Sequence, residues 1–144
     1  KTIVLVPTRE LAQQVEQEFK SLSKGLKIFS SCFIGGTSIN KDVDKLRRLN
    51  HVIIGTPGRI NDMINRRALK LHDFSKVVLD EFDTMLDMGF LQEVQKIIDR
   101  GSIGKHGMYA CILKGLTGIL QKSFLKKCVG NDPVRSFPIG RNRN

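Results

Sequence analysis

The chain has 144 residues, enough for one domain, with a 40% hydrophobic content ordinary for a fold that buries a single core and a net charge of +10 that suits a polyanionic partner. No apolar run approaches the roughly 18 residues of a membrane helix, the N-terminus lacks the charged and apolar regions of a secretory leader, and Cys32, Cys111 and Cys128 lack metal-ligand spacing. The expectation is a soluble intracellular domain, in cytoplasm or nucleus, with no membrane partner.

The charge is unevenly spread. Residues 1–100 carry 16 Lys/Arg against 13 Asp/Glu, whereas residues 101–144 carry 8 against 1, so most of the basic excess belongs to the tail. In chain order, Thr2 to Val6 is β-branched or leucine and closes at Pro7-Thr8, which predicts a buried strand and a turn. Leu11, Val15, Phe19 and Leu22 recur at helical spacing and stop at Gly25. A second strand is predicted from Ile28 to Ile34, ending at Gly35-Gly36, then a short helix marked by Val43 and Leu46.

A third strand, His51 to Ile54, ends at Gly55-Thr56-Pro57 and leads into a helix marked by Ile60 and Ile64. The fourth, Lys76 to Leu79, ends at Asp80 and precedes a helix bearing Phe90, Val94, Ile97 and Ile98. A fifth strand over Tyr109 to Leu113 and a helix from Ile119 to Lys127 follow. Strands alternating with helices predict a parallel α/β sheet. The domain is expected to occupy residues 1–135, with 136–144 as a basic flexible tail.

Ligands of an open parallel sheet bind at the carboxyl ends of its strands. Four polar segments fall there in the predicted order: Pro7-Thr8-Arg9-Glu10, Gly35-Gly36-Thr37, Thr56-Pro57-Gly58-Arg59 and Asp80-Glu81. Thr8 and Thr56 each stand where a helix N-cap belongs, with Pro57 at the favoured first helical position. Capping accounts for both threonines; the free N–H groups of a helix N-terminus also suit phosphate oxygens, and Arg9 and Arg59 add cationic forks beside them. Gly35-Gly36 supplies either a positive-φ turn or a close approach for a ligand backbone. Asp80 at a strand tip can hold Mg²⁺ on the phosphates of a nucleotide, and Glu81 can orient or deprotonate a water; an acidic turn with an N-cap is the alternative.

Taken in order, PTRELAQQ (7–14), GG (35–36), TPGR (56–59), LDEFD (79–83) and MLDMGF (85–90) resemble successive motifs of the DEAD-box ATP-dependent RNA helicases, over residues 1 to about 100. The resemblance implies a RecA-like parallel sheet sandwiched by helices, in the P-loop NTPase class and incomplete at the N-terminus. It implies ATP and Mg²⁺ as cofactors, Asp80 as the magnesium residue acting through water, Glu81 as catalytic base, and Asp80, Glu81, Asp83 and Thr117 at the nucleotide. RNA, gripped mainly by its sugar-phosphate backbone, would lie along Pro7, Thr8, Arg9, Glu10, Gly35, Gly36, Thr56, Pro57, Gly58 and Arg59. A second RecA-like domain is the implied partner if it is encoded.

Three departures qualify the match. Phe82 stands where the family has alanine, and its ring takes space beside Asp83. Gly115-Leu116-Thr117 stands for the family's Ser-Ala-Thr segment, with Asn131-Asp132-Pro133-Val134 resembling the close of the domain. No GxxxxGK[ST] loop occurs in the chain, so the segment alone is expected not to turn over ATP. The function implied is ATP-dependent RNA unwinding by the whole protein. The alternative is a degenerate DEAD-box module that binds RNA or a partner without hydrolysis, and a generic α/β enzyme with an acidic metal pair leaves three of the motifs unexplained.

Overall fold

A computed structural model describes residues 1–101 and, as backbone, the strand at 109–113. Five strands, β1 (Thr2–Leu5), β2 (Ser30–Phe33), β3 (Val52–Gly55), β4 (Lys76–Asp80) and β5 (Tyr109–Leu113), form one sheet in the order β2-β3-β1-β4-β5. Every pairing is parallel. The connecting helices are α1 (Arg9–Leu22), α2 (Ile39–Leu46), α3 (Pro57–Asn65), α4 (Phe82–Asp87) and α5 (Leu91–Arg100). A 3₁₀ turn spans Leu71–Asp73.

The strand residues alternate between two cores. Ile3, Leu5, Ile53, Val77 and Leu79 join Ile60 and Met63 of α3, Phe82 and Met85 of α4, and Val94, Ile97 and Ile98 of α5 in one cluster. Val6, Cys32, Ile34 and Ile54 join Ala12 of α1 in the other, with Leu11, Val15 and Phe19 packed against it. Topology explains the division. The β1-to-β2 connection runs one way along the sheet while the β2-to-β3, β3-to-β4 and β4-to-β5 connections run the other, so crossovers of one hand put α1 on one face and the remaining helices on the opposite one. Each fully buried aliphatic or aromatic side chain contributes roughly 1.5–3 kcal/mol, so the doubly covered sheet is the main source of stability.

The parallel sheet and the five predicted strands stand as expected, with local corrections. The second strand begins at Ser30; Ile28 and Phe29 precede it and are exposed. The Phe29 N–H donates to His51 Nδ1 at 3.0 Å and the two rings stack at 5.9 Å, so this stretch is tied to the start of β3. Leu22 was expected on the apolar face of α1 but is 84% exposed, because the helix ends there beyond the edge of its cluster. Helix α4 was not predicted at all. The predicted helix at 119–127 and the tail at 136–144 lie outside the described residues.

Cys32 is buried, and burial, followed by the nearby Glu16 carboxylate, pushes its thiol up to about 11. A thiol held neutral in this way packs as a small apolar group. No helix among the described residues is long and apolar enough to cross a membrane.

Candidate nucleotide and nucleic-acid edge

The register decides what meets at the carboxyl edge. Leu5 lies level with Gly55 and Leu79, and Phe33 lies level with Gly55, so β1, β2 and β3 end on one line and the chain leaves them side by side. Two ladder bonds continue past the strands: the Val6 N–H donates to the Gly55 carbonyl at 3.1 Å and the Thr56 N–H to the Phe33 carbonyl at 3.2 Å. Gly55 is required here, since a Cβ would lie 2.6 Å from the Phe33 carbonyl oxygen and 2.8 Å from Ile60 Cδ1. Asp80 extends one residue beyond the Leu5–Leu79 pair and stands opposite Leu113. The four polar segments singled out in the sequence therefore share one edge.

The two threonines differ. Thr8 caps α1, its Oγ1 accepting from the Leu11 N–H at 3.2 Å. Thr56 occupies the N-cap of α3 ahead of Pro57 but makes no side-chain cap bond, so its hydroxyl is not committed to the helix end. Pro7 and Pro57 are buried, which anchors the two turns, whereas Arg9, Glu10 and Gly58 are exposed and Gly35 is half-buried.

The second loop is built around Arg9. Gly36 has φ +82°, a left-handed conformation, and a Cβ on it would meet Arg9 Nη1 at 2.9 Å. The guanidinium thus lies directly over the glycine backbone and bridges the β1 and β2 loops. Arg59 behaves otherwise. Its side chain is only 8% exposed; Nη2 donates to the Thr37 carbonyl at 2.7 Å and Nη1 faces Asp42 Oδ2 at 3.6 Å. The expected phosphate fork is, in this structure, turned inward onto the neighbouring loop. Asp42, on the first turn of α2, is fully buried and was missed by sequence reasoning, because an acid at the start of a helix reads as a favourable charge on the helix dipole and nothing more.

On the other half of the edge, Asp80 ends β4 and Glu81 follows with φ 52° and ψ 49°. A non-glycine residue in the left-handed region costs roughly 1–2 kcal/mol, and such conformations gather at functional sites. The turn aims the chain into α4, whose first bond runs from the Met85 N–H to the Glu81 carbonyl at 3.1 Å. Phe82 is fully buried in the larger core cluster, so its ring is an internal anchor for α4. Asp83, half-buried, stands in the first turn of that helix. Asn61 Nδ2 of α3 donates to the Glu93 carbonyl of α5 at 2.8 Å and ties these two helices together. Thr117 lies outside the described residues.

Among the described residues no three His, Cys, Asp or Glu side chains form a metal cage. The oxygen donors of Asp80 and Glu81 nevertheless suit Mg²⁺, which binds through one or two carboxylates together with substrate phosphates and water.

A wholly parallel sheet covered on both faces, with its polar loops collected along the carboxyl edge, defines a RecA-like α/β domain. The DEAD/DEAH box helicase family model matches residues 1–113, and the chain belongs to that family. It is 41% identical over 134 residues, or 91% of its length, to the DEAD-box ATP-dependent RNA helicase CshB of Bacillus subtilis, and 46% identical over 102 residues to CshA of Streptococcus pneumoniae. It spans 30% of that CshB and 19% of that CshA. Among solved structures, a DEAD box protein from Methanococcus jannaschii aligns with a TM-score of 0.82 at 34% identity, covering 91% of this chain and 35% of the other. A hypothetical ATP-dependent RNA helicase from Sulfolobus tokodaii has the same fold, with a TM-score of 0.82 at 23% identity over 93% of this chain and 39% of the other.

Proposed function

We propose that this chain is the RNA-facing and magnesium-bearing part of an ATP-dependent RNA helicase, with residues 1–135 forming its share of the first RecA-like domain. The observation that carries the reading is the common level of the strand ends, which puts Thr8-Arg9, Gly35-Gly36, Thr56-Pro57-Gly58 and Asp80-Glu81 on one edge. Single-stranded RNA would follow the first three loops through its phosphates, meeting the N-terminal N–H groups of α1 and α3, the exposed Arg9 guanidinium and the open backbone at Gly35 and Gly58. Contacts of this kind hold a backbone without reading bases.

At the other end of the edge, Asp80 would hold Mg²⁺ through water. The metal, when bound with ATP, supplies charge neutralisation at the phosphates. Glu81 would accept a proton from the attacking water, its carboxylate position set by the left-handed turn that precedes α4. Asp83, one residue beyond the buried Phe82, would couple this turn to the rest of the domain. Phosphate-cradling N–H groups and a lysine are expected from a segment upstream of Pro7, and the opposing half of the RNA groove from a second RecA-like domain.

The test is carried out on the complete protein containing this chain. RNA-stimulated ATP hydrolysis is expected, and Glu81→Gln should reduce it by roughly 10²–10⁴-fold while leaving RNA binding intact. RNA affinity should fall steeply as salt rises. Salt-sensitive RNA binding without any hydrolysis would replace this reading with a non-hydrolysing RNA-binding module; absence of RNA binding would overturn both.

A further inference from the structure

The inward-turned Arg59 raises the question of what holds it there. Asp42 is fully buried, and a buried carboxylate persists only where partners compensate its lost hydration. It has three: Arg59 Nη1 from α3 at 3.6 Å, Lys45 Nζ from its own helix at 3.5 Å, and the Thr37 hydroxyl from the β2–α2 loop at 3.4 Å. Lys45 is 42% exposed and also donates to the Cys32 carbonyl at 3.3 Å, so it has solvent as an alternative partner. Arg59 is enclosed, and its Nη2 donates to the Thr37 carbonyl at 2.7 Å.

We propose that Asp42 is a positioning residue for the nucleic-acid edge. It holds the Arg59 guanidinium against the Thr37 carbonyl, and this strut locks the loop after β2 to the N-terminus of α3. The inference rests on the functional reading above and adds to it a residue that none of the quoted motifs contains. Both tied segments, Gly35-Gly36-Thr37 and Thr56-Pro57-Gly58, present the backbone that the reading assigns to phosphate. The Arg59 side chain is enclosed as well as engaged with Thr37 and Asp42, which leaves little of it open to a phosphate, so Arg59 acts through the loop and direct cationic contact falls to the exposed Arg9. Removing Asp42 leaves an enclosed arginine without a counter-charge, which turns it outward and releases Thr37.

The experiment uses the complete protein, a short single-stranded oligouridylate as probe, and the variants Asp42→Ala, Asp42→Asn, Arg59→Ala and the Asp42→Ala/Arg59→Ala double. Asp42→Ala is expected to weaken RNA affinity about tenfold, and the double variant should bind no more weakly than Arg59→Ala alone, since both changes remove the same strut. Asp42→Asn keeps the shape of the side chain but removes the counter-charge, so it should weaken binding as Asp42→Ala does, which also guards against an alanine variant that fails to fold. Amide hydrogen exchange across residues 34–38 should speed up in both Asp42→Ala and Asp42→Asn. Additive losses in the double variant, or exchange unchanged in Asp42→Ala, would overturn the proposal. If the wild-type protein binds no RNA, the functional reading falls, while the exchange measurement still decides whether Asp42 positions the loop.

Discussion

The two halves of the carboxyl edge are built by different means. Around β1, β2 and β3, loops distant in sequence are joined by side chains: Arg9 lies over Gly36, Arg59 reaches Thr37 across 22 residues, and Asp42 binds the group from beneath. At β4 the acidic residues are consecutive, and their placement comes from the backbone, with Glu81 in the left-handed region and Phe82 driven into the core. The first half is a tertiary assembly of separated residues, and the second a local turn secured by one buried ring. A substitution should therefore act through loop order in the first half and through packing or backbone strain in the second.

The largest expected effect is at Phe82. Its ring is fully enclosed with Leu79, Met85 and Val94 in the same cluster, so Phe82→Ala should cost roughly 3–5 kcal/mol in urea unfolding, even though alanine is the residue usual for the family. A loss below about 1 kcal/mol would mean that α4 settles without the ring, and the anchoring argument would fail.

Smaller and opposite in sign is the change at Glu81. Glycine adopts its φ of 52° without the steric penalty, at some cost in chain entropy, so Glu81→Gly should stabilise the fold by about 0.5–1 kcal/mol while removing the proposed base. Stability gained together with activity lost would identify strain maintained for function; destabilisation would show that the Glu81 side chain holds the turn.

The two threonines provide a finer comparison within the first half. Thr8→Ala removes an observed cap and should cost about 1 kcal/mol, whereas Thr56→Ala removes none and should cost only a few tenths. Under the proposed function the order reverses for RNA affinity relative to stability: Thr56→Ala should weaken binding more than its small stability cost suggests. Equal stability losses would contradict the cap assignment.

The effect at Cys32 is confined to alkaline pH. Its folded-state thiol titrates near 11, above its ordinary value of 9.0, so the folded chain holds the proton more tightly than the unfolded chain between those values. Its contribution is complete below about pH 9 and is lost as pH rises through about 11. Unfolding midpoints followed from pH 8 to 11 should fall less in Cys32→Ala than in the parent, and native Cys32 should resist alkylation at pH 8.

Much of this was legible in order along the chain. Apolar runs such as Val77-Val78-Leu79, each followed by a polar turn, disclose buried parallel strands, because residues covered on both faces need no alternation. Helix α4 escaped notice because six residues hold too few turns for a period to appear, and Phe82 read as a departure from a motif while the fold uses it as a core residue. Thr8 could be named as a cap from its position before a periodic segment; that Thr56 makes no such bond could not.

The sequence by itself determined the strand order in time, the positions of the polar turns and the family, since all three are carried by residues close to one another along the chain. Tertiary structure alone decided that those turns end on one level, that Arg59 faces inward and that Asp42 is the buried carboxylate beneath it. The physical reason is that burial and ion pairing depend on which loops the sheet register brings together. No local pattern encodes the meeting of residues from three separate crossovers.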